Sequence, residues 1–91
     1  MIAGSLPELR TAIDAIDTEL IAMIGERIAI ARRVGAIKGT EGLPVMDPAR
    51  EAAVVSRAAR MAREAGLPED EIRALFWQLI AITRRAQASA S

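Results

Sequence analysis

LRTAIDAIDTELIAMIGERIAIARRVGAIK, from Leu9 to Lys38, decides the fold. Along it Leu9, Ile13, Ile16, Leu20, Met23, Arg27, Ile30, Val34 and Ile37 recur at alternating spacings of four and three, the interval that turns one stripe of an α-helix toward a partner. Arg27 alone breaks the apolar rule. Its neighbours at i±3 and i±4 are Met23, Ile24, Ile30 and Ala31, so its own helix offers it no anion. An unpaired charge in such a stripe costs on the order of several kcal/mol where a leucine would cost nothing. Arg27 is therefore a functional candidate that needs an anion from elsewhere.

Working outward, the helix is expected to begin near Ser5 or Pro7, with Ser5 and Glu8 as a capping box, and to run to about Lys38. Roughly 33 residues at 1.5 Å each make ~50 Å, whereas a compact domain of this length has a radius of gyration near ~12 Å. The helix overhangs its own domain, and the cheapest cover for its protruding stripe is a second copy of the chain. An obligate homodimer is expected. Two glycines and a proline in Gly39 to Met46 read as a loop. Asp47 and Pro48 then read as the N-cap and first turn of a second helix, with Val54, Val55, Ala58, Met61 and Ala62 inward until a left-handed Gly66. Glu69, Asp70 and Glu71 suit the start of a third helix, which carries Ile72, Leu75, Phe76, Leu79, Ile80 and Ile82 and ends near Gln87, with Ala88 to Ser91 frayed. Residues 1–91 thus read as one all-α domain of three helices.

Composition narrows the function. Hydrophobic residues make up 52% and charged residues 26% of the 91 positions, the balance of a globular chain, and only one Phe and one Trp accompany the helix-forming Ala, Ile, Leu, Arg and Glu. Twelve basic and twelve acidic side chains cancel, leaving no global field for nucleic acid or an anionic membrane. The absence of cysteine and histidine excludes disulfides and removes the usual metal ligands, so no metal is assigned. No apolar run approaches the ~18 residues of a membrane span, no secretory leader is evident, and a cytoplasmic location is expected. Without His, Cys or Tyr, a perturbed Glu or Lys is the only candidate acid or base. A chemistry that needs neither fits best, such as binding a small dianion and stabilising charge that develops in its transition state.

Several residues could supply that chemistry, each with a plainer reading beside it. Lys38, the only lysine, lies eleven residues after Arg27 on nearly the same helix face, ~16 Å along the axis; it equally suits a helix C-terminus. Arg10 is ~25 Å from Arg27 and about 100° around the helix, so the two could grip one small molecule only in an antiparallel dimer; Asp14 at i+4 offers Arg10 a surface pair instead. Asp47, Arg50 and Glu51 cluster at the start of the second helix, where Arg50 can reach back to Asp47 and capping alone would explain the acids. Thr83 and Gln87 extend the apolar row of Phe76 and Ile80, either as a pocket wall or as a stripe leaving the core. Arg32, Arg33, Arg57, Arg60, Arg63, Arg84 and Arg85 read as solvated faces.

Leu9 to Arg27, the ARRVGAIK stretch ending in Lys38, PVMDPARE (Pro44 to Glu51) and LFWQLIAITRRAQ ending in Gln87 together resemble the all-helical chorismate mutase family in its short, monofunctional form. The resemblance implies an intertwined homodimer of three-helix chains and the Claisen rearrangement of chorismate to prephenate for aromatic amino acid biosynthesis, without cofactor. It further implies that Arg27 and Arg10 of the other chain hold the substrate carboxylates, with Thr83 assisting where many relatives have serine. Lys38 and Gln87 would donate to the ether oxygen, Glu51 and the backbone near Asp47 would hold the ring hydroxyl, and Arg50 would order the anionic end. Relatives of this fold include isochorismate pyruvate lyases and 4-amino-4-deoxychorismate mutases. Asp47 and Glu51 favour a hydroxyl-bearing substrate, since lyase relatives have apolar residues there. Trp77, Arg84 and Arg85 match no part of the family pattern. A non-enzymatic alternative is a helical dimerisation or regulatory module in which Arg27 pairs with an acid such as Glu51.

Overall fold

Ser5 opens the first helix as expected: its side chain accepts from the Glu8 amide while the Glu8 carboxylate accepts from the Ser5 amide, a complete capping box. The computed structural model describes residues 4–91, in three helices: α1 (Leu6–Glu41), α2 (Pro48–Glu64) and α3 (Glu69–Ala90). No strand occurs among the described residues, and no helix is long and apolar enough to cross a membrane. α1 continues three residues beyond Lys38, through Gly39, and stops at Gly42, whose φ of 71° lies in the left-handed region. There the Gly42 and Leu43 amides return to the Gly39 and Lys38 carbonyls and close the helix. Position 39 is glycine for a packing reason rather than as a helix stop, because a Cβ there would lie 2.8 Å from the backbone of Ser91.

The Asp47 carboxylate caps α2 by accepting from the Arg50 amide at 3.1 Å, so the contact between these two residues runs through the backbone rather than the guanidinium. Gly66, at φ 71°, ends that helix as the sequence implies. α3 runs through Gln87 to Ala90 instead of fraying, since its last turn lies against the small residues Gly35 and Gly39 of α1.

α3 is the shared element. It packs on α1 along one flank and α2 along another, while no Cα of α1 lies within 8 Å of one of α2. The inward face of α2 is Val55, Ala58, Ala59 and Ala62; Met61 points outward, because the small side chains needed for close approach to α3 sit on the adjoining face. On α3 the buried residues are Ile80, Thr83 and Ala86, with Ile72, Phe76 and Leu79 half-buried and Leu75 and Ile82 exposed.

α1 gives α3 a narrow row, Ile24, Ile28, Ala31, Gly35 and Lys38, next to the expected stripe rather than on it. Most of the stripe stays open, with Ile13, Leu20, Met23, Ile30 and Ile37 all more than half exposed. From Leu6 to Met23 only Ala12 is even half-buried. The molecule measures 55 × 24 × 16 Å, with a radius of gyration of 16.4 Å. Among the described residues no large side chain is fully buried, so one chain alone holds little core.

Candidate functional site

Because α1 and α2 both lean on α3 without meeting, a wedge remains between them. It encloses a cavity of about 310 Å³, the lower end of the range for small-molecule sites. α1 contributes Arg27, Ala31, Val34 and Lys38, at intervals of four, three and four. Asp47, Arg50, Glu51 and Val54 come from the start of α2, and Ile80, Thr83, Arg84 and Gln87 from α3. Each helix thus turns one stripe, spaced by threes and fours, into the same space. Every candidate site residue read from the sequence lines the wedge except Arg10. That residue is exposed on α1, ~25 Å along the axis from Arg27.

The Arg27 guanidinium is half-buried and, among the described residues, makes no ion pair. Its hydrogen-bond partner is neutral: Nη1 donates to Thr83 Oγ1 at 3.0 Å. The Thr83 hydroxyl lies 3.1 Å from the carbonyls of Leu79 and Ile80, to which its proton is committed, so its lone pairs face Arg27. Burial, and secondarily the repulsion of Arg50, pull Arg27 below its ordinary pKa. Two guanidiniums repelling each other across a cavity define a place that favours an anion.

Lys38 stands at the other end of the α1 stripe. Nζ donates to Gln87 Oε1 and to the Val45 carbonyl, each at 2.8 Å. An ammonium has three protons, so one remains for a third acceptor. With its carbonyl oxygen taken, the Gln87 amide is left with its NH₂ group to donate. Gly35 makes the arrangement possible: a Cβ at that position would overlap the backbone of Gln87, so only glycine lets α3 approach α1 one turn before Lys38.

The opposite wall holds an ion pair that the sequence reading missed. Arg84 donates Nε to Glu51 Oε2 at 2.8 Å and Nη2 to Glu51 Oε1 at 2.5 Å, a bidentate fork. These bonds hold the Glu51 carboxyl below the usual carboxylate range against burial, with the charges of Arg84 and Lys38 helping and that of Asp47 opposing. The same pair raises Arg84. From sequence Arg84 reads as a solvated face; the signal against that is its place four residues after Ile80 and three before Gln87, on the wedge side of α3. The fork also corrects the pairing of Arg27 with Glu51, because Glu51 is engaged elsewhere. Arg27, Lys38, Arg50 and Arg84 against Asp47 and Glu51 leave the wedge with two net positive charges. Among the described residues, no group of three or more acidic side chains could hold a metal ion.

The family described as chorismate mutase type II matches residues 9–88. The chain is 35% identical over 65 residues to the chorismate mutase of Methanocaldococcus jannaschii, covering 71% of this chain and 66% of that protein. It is 38% identical over 66 residues to the 4-amino-4-deoxychorismate mutase of Streptomyces venezuelae, covering 72% and 64%. With the isochorismate pyruvate lyase of Pseudomonas aeruginosa it shares 33% identity over 75 residues, 82% of this chain and 73% of that one. The chain spans just under two thirds of the first two of these proteins, and less than a fifth of some other relatives.

Proposed function

Since the chain belongs to the chorismate mutase type II family, we propose that it rearranges chorismate to prephenate in a wedge completed by a second copy of itself. The observation that carries this reading is the charge of the wedge, which has two positive charges in excess and an Arg27 without an ionic partner among the described residues. That charge suits a small dicarboxylate. Arg27 takes one carboxylate, and Arg10 of the second copy takes the other where the open stripe of α1 is covered. Arg50 orders this anionic end, and Thr83 holds the Arg27 fork in place.

The rearrangement breaks a C–O bond and forms a C–C bond within one molecule, with no proton transferred. Negative charge grows on the ether oxygen as the C–O bond lengthens. The third proton of Lys38 and the amide protons of Gln87 serve as the donors to it, and they are held in place before reaction by their 2.8 Å bond to each other. Glu51 and the backbone near Asp47 accept from the ring hydroxyl. The walls favour the folded conformer in which the reacting carbons meet.

The test is an absorbance assay with chorismate, with prephenate scored as phenylpyruvate after acid treatment. Turnover that falls on substitution of Lys38 or Gln87 is expected; a folded protein that leaves chorismate unchanged refutes the reading. The likeness to an isochorismate pyruvate lyase supplies a second reading, which salicylate formation from isochorismate would favour. Size-exclusion chromatography with light scattering tests the dimer, and a mass of one chain at micromolar concentration counts against it.

A further inference from the structure

We propose that Arg84 is a specificity-determining positioning residue: by forking onto both oxygens of Glu51 it neutralises the carboxylate beside the substrate ring, so that the site favours a hydroxyl there over an ammonium. The inference rests on the reading that the wedge takes chorismate or a close relative. Two of the proteins similar to this chain are named for substrates that differ by one group, an amine replacing the hydroxyl at ring carbon 4. Both substrates carry two carboxylates. At neutral pH the amine is protonated, which changes the net charge of the molecule from −2 to −1.

An unpaired Glu51 would prefer the ammonium, because a hydrogen bond between two charged groups is roughly twice as strong as one between neutral groups. Arg84 removes that advantage in two ways. Each Glu51 oxygen already accepts one of its N–H groups, at 2.8 and 2.5 Å, and a carboxylate has about four lone-pair sites, so a neutral O–H can still donate to what remains. Arg84 also places a guanidinium in the same wall, which repels a second cation. Without it the excess charge of the wedge falls from two to one, the value that matches the amino compound. Arg84 itself is spent on Glu51 and need not touch the substrate.

The experiment measures kcat/KM for chorismate and for 4-amino-4-deoxychorismate in the wild-type protein and in Arg84→Met, Arg84→Gln and Arg84→Lys, with helicity checked by circular dichroism. The wild type is expected to prefer chorismate. Arg84→Met and Arg84→Gln should narrow that preference about tenfold, through a gain on the amino compound together with a loss on the hydroxyl compound, whereas Arg84→Lys should keep most of it. A ratio unchanged within twofold in whichever neutral variant folds overturns the proposal, as does a parallel loss on both substrates, which would mean that Arg84 only supports the fold. If the wild type turns over neither compound, the functional reading fails separately. The ratio of dissociation constants for the two compounds, measured by calorimetry, then decides on Arg84 by the same tenfold and twofold limits.

Discussion

Replacing Gly35 by alanine adds one methyl group between α1 and α3, and its effect can be worked from the packing. An ideal Cβ at Gly35 would lie 2.6 Å from Gln87 Cα and closer still to the Gln87 carbonyl oxygen, whereas ordinary contact begins at 3.4 Å, so the helices must part by at least about 0.8 Å. Overpacking of this kind costs about 1–3 kcal/mol, and the better helix propensity of alanine returns about 1 kcal/mol. A net loss of about 1 kcal/mol lowers the Tm of a domain this size by ~4–8 °C. The larger effect falls on the site, because the same displacement stretches the bond from Lys38 to Gln87 from 2.8 to about 3.6 Å, beyond hydrogen-bonding distance. Misplacing a reacting constellation by about 1 Å costs roughly 100-fold in rate. Thermal melts at matched protein concentration and the chorismate assay read the two effects. If Gly35→Ala keeps kcat within threefold and Tm within 1–2 °C (about the error of such melts), the close approach of α1 and α3 is not what sets Gln87 against Lys38.

Further outcomes follow from the same contacts. Lys38→Ala and Gln87→Ala should each lower kcat by about 100-fold or more while leaving the far-UV spectrum intact; a loss confined to KM would deny them a role in the transition state. Arg27→Leu should abolish detectable turnover without destabilising the folded chain, since it removes a half-buried cation that Arg50 repels; a lower Tm would show that its bond to Thr83 outweighs that repulsion. Because Arg84 holds Glu51 below its ordinary pKa, the pair stabilises the fold fully above the unfolded carboxyl value of about 4.3. That contribution is lost as pH falls through the lower folded value. The Tm gap between wild type and Arg84→Met should therefore be widest from neutral pH to about pH 5 and close below about pH 4; a gap constant to pH 3 would refute the link. A Cβ added at Gly25 would meet nothing within 4 Å beyond the backbone of its own helix, so Gly25→Ala should stabilise an isolated helix by about 1 kcal/mol. A loss of dimer on gel filtration would instead place a second copy against that position.

Much of this architecture is visible in the residue pattern. The Ser5 and Glu8 capping box, the Asp47 cap ahead of Pro48 and the left-handed Gly66 are local signals with one reading each, and all three hold. Arg27, Thr83 and Gln87 stand out as polar groups on apolar rows and Lys38 as the only lysine, on nearly the same face as Arg27, and all four line the wedge. The misses share a cause, namely that they depend on what another helix does. A glycine near a helix end reads as a stop, yet Gly39 lies inside the helix and is glycine because Ser91 lies over it, and Gly42 provides the stop. Met61 shares the periodicity of α2 but lies on the side that α3 does not reach. Arg84 sits beside Arg85 in the sequence and looks equally solvated until Glu51 arrives from α2. Single-sequence periodicity supplies faces, and partners across helices choose among them.

The uninterrupted course of α1 makes its length a form of phasing. Seventeen residues separate Arg10 from Arg27 without a break, and each residue added or removed between them would turn one against the other by 100° and shift it by about 1.5 Å. On the proposed reading, the number of residues in this interval is set by the need for two cations to arrive in step, and the apolar side chains of its open stripe answer to the copy that covers them. The short segment 65–68 carries no such phase and can absorb insertions that α1 cannot, whereas 42–47 supplies the Val45 carbonyl to Lys38 and Asp47 to the wedge. A library of single-codon insertions and deletions would display the difference as an indel-intolerant rod and one turn permissive to length.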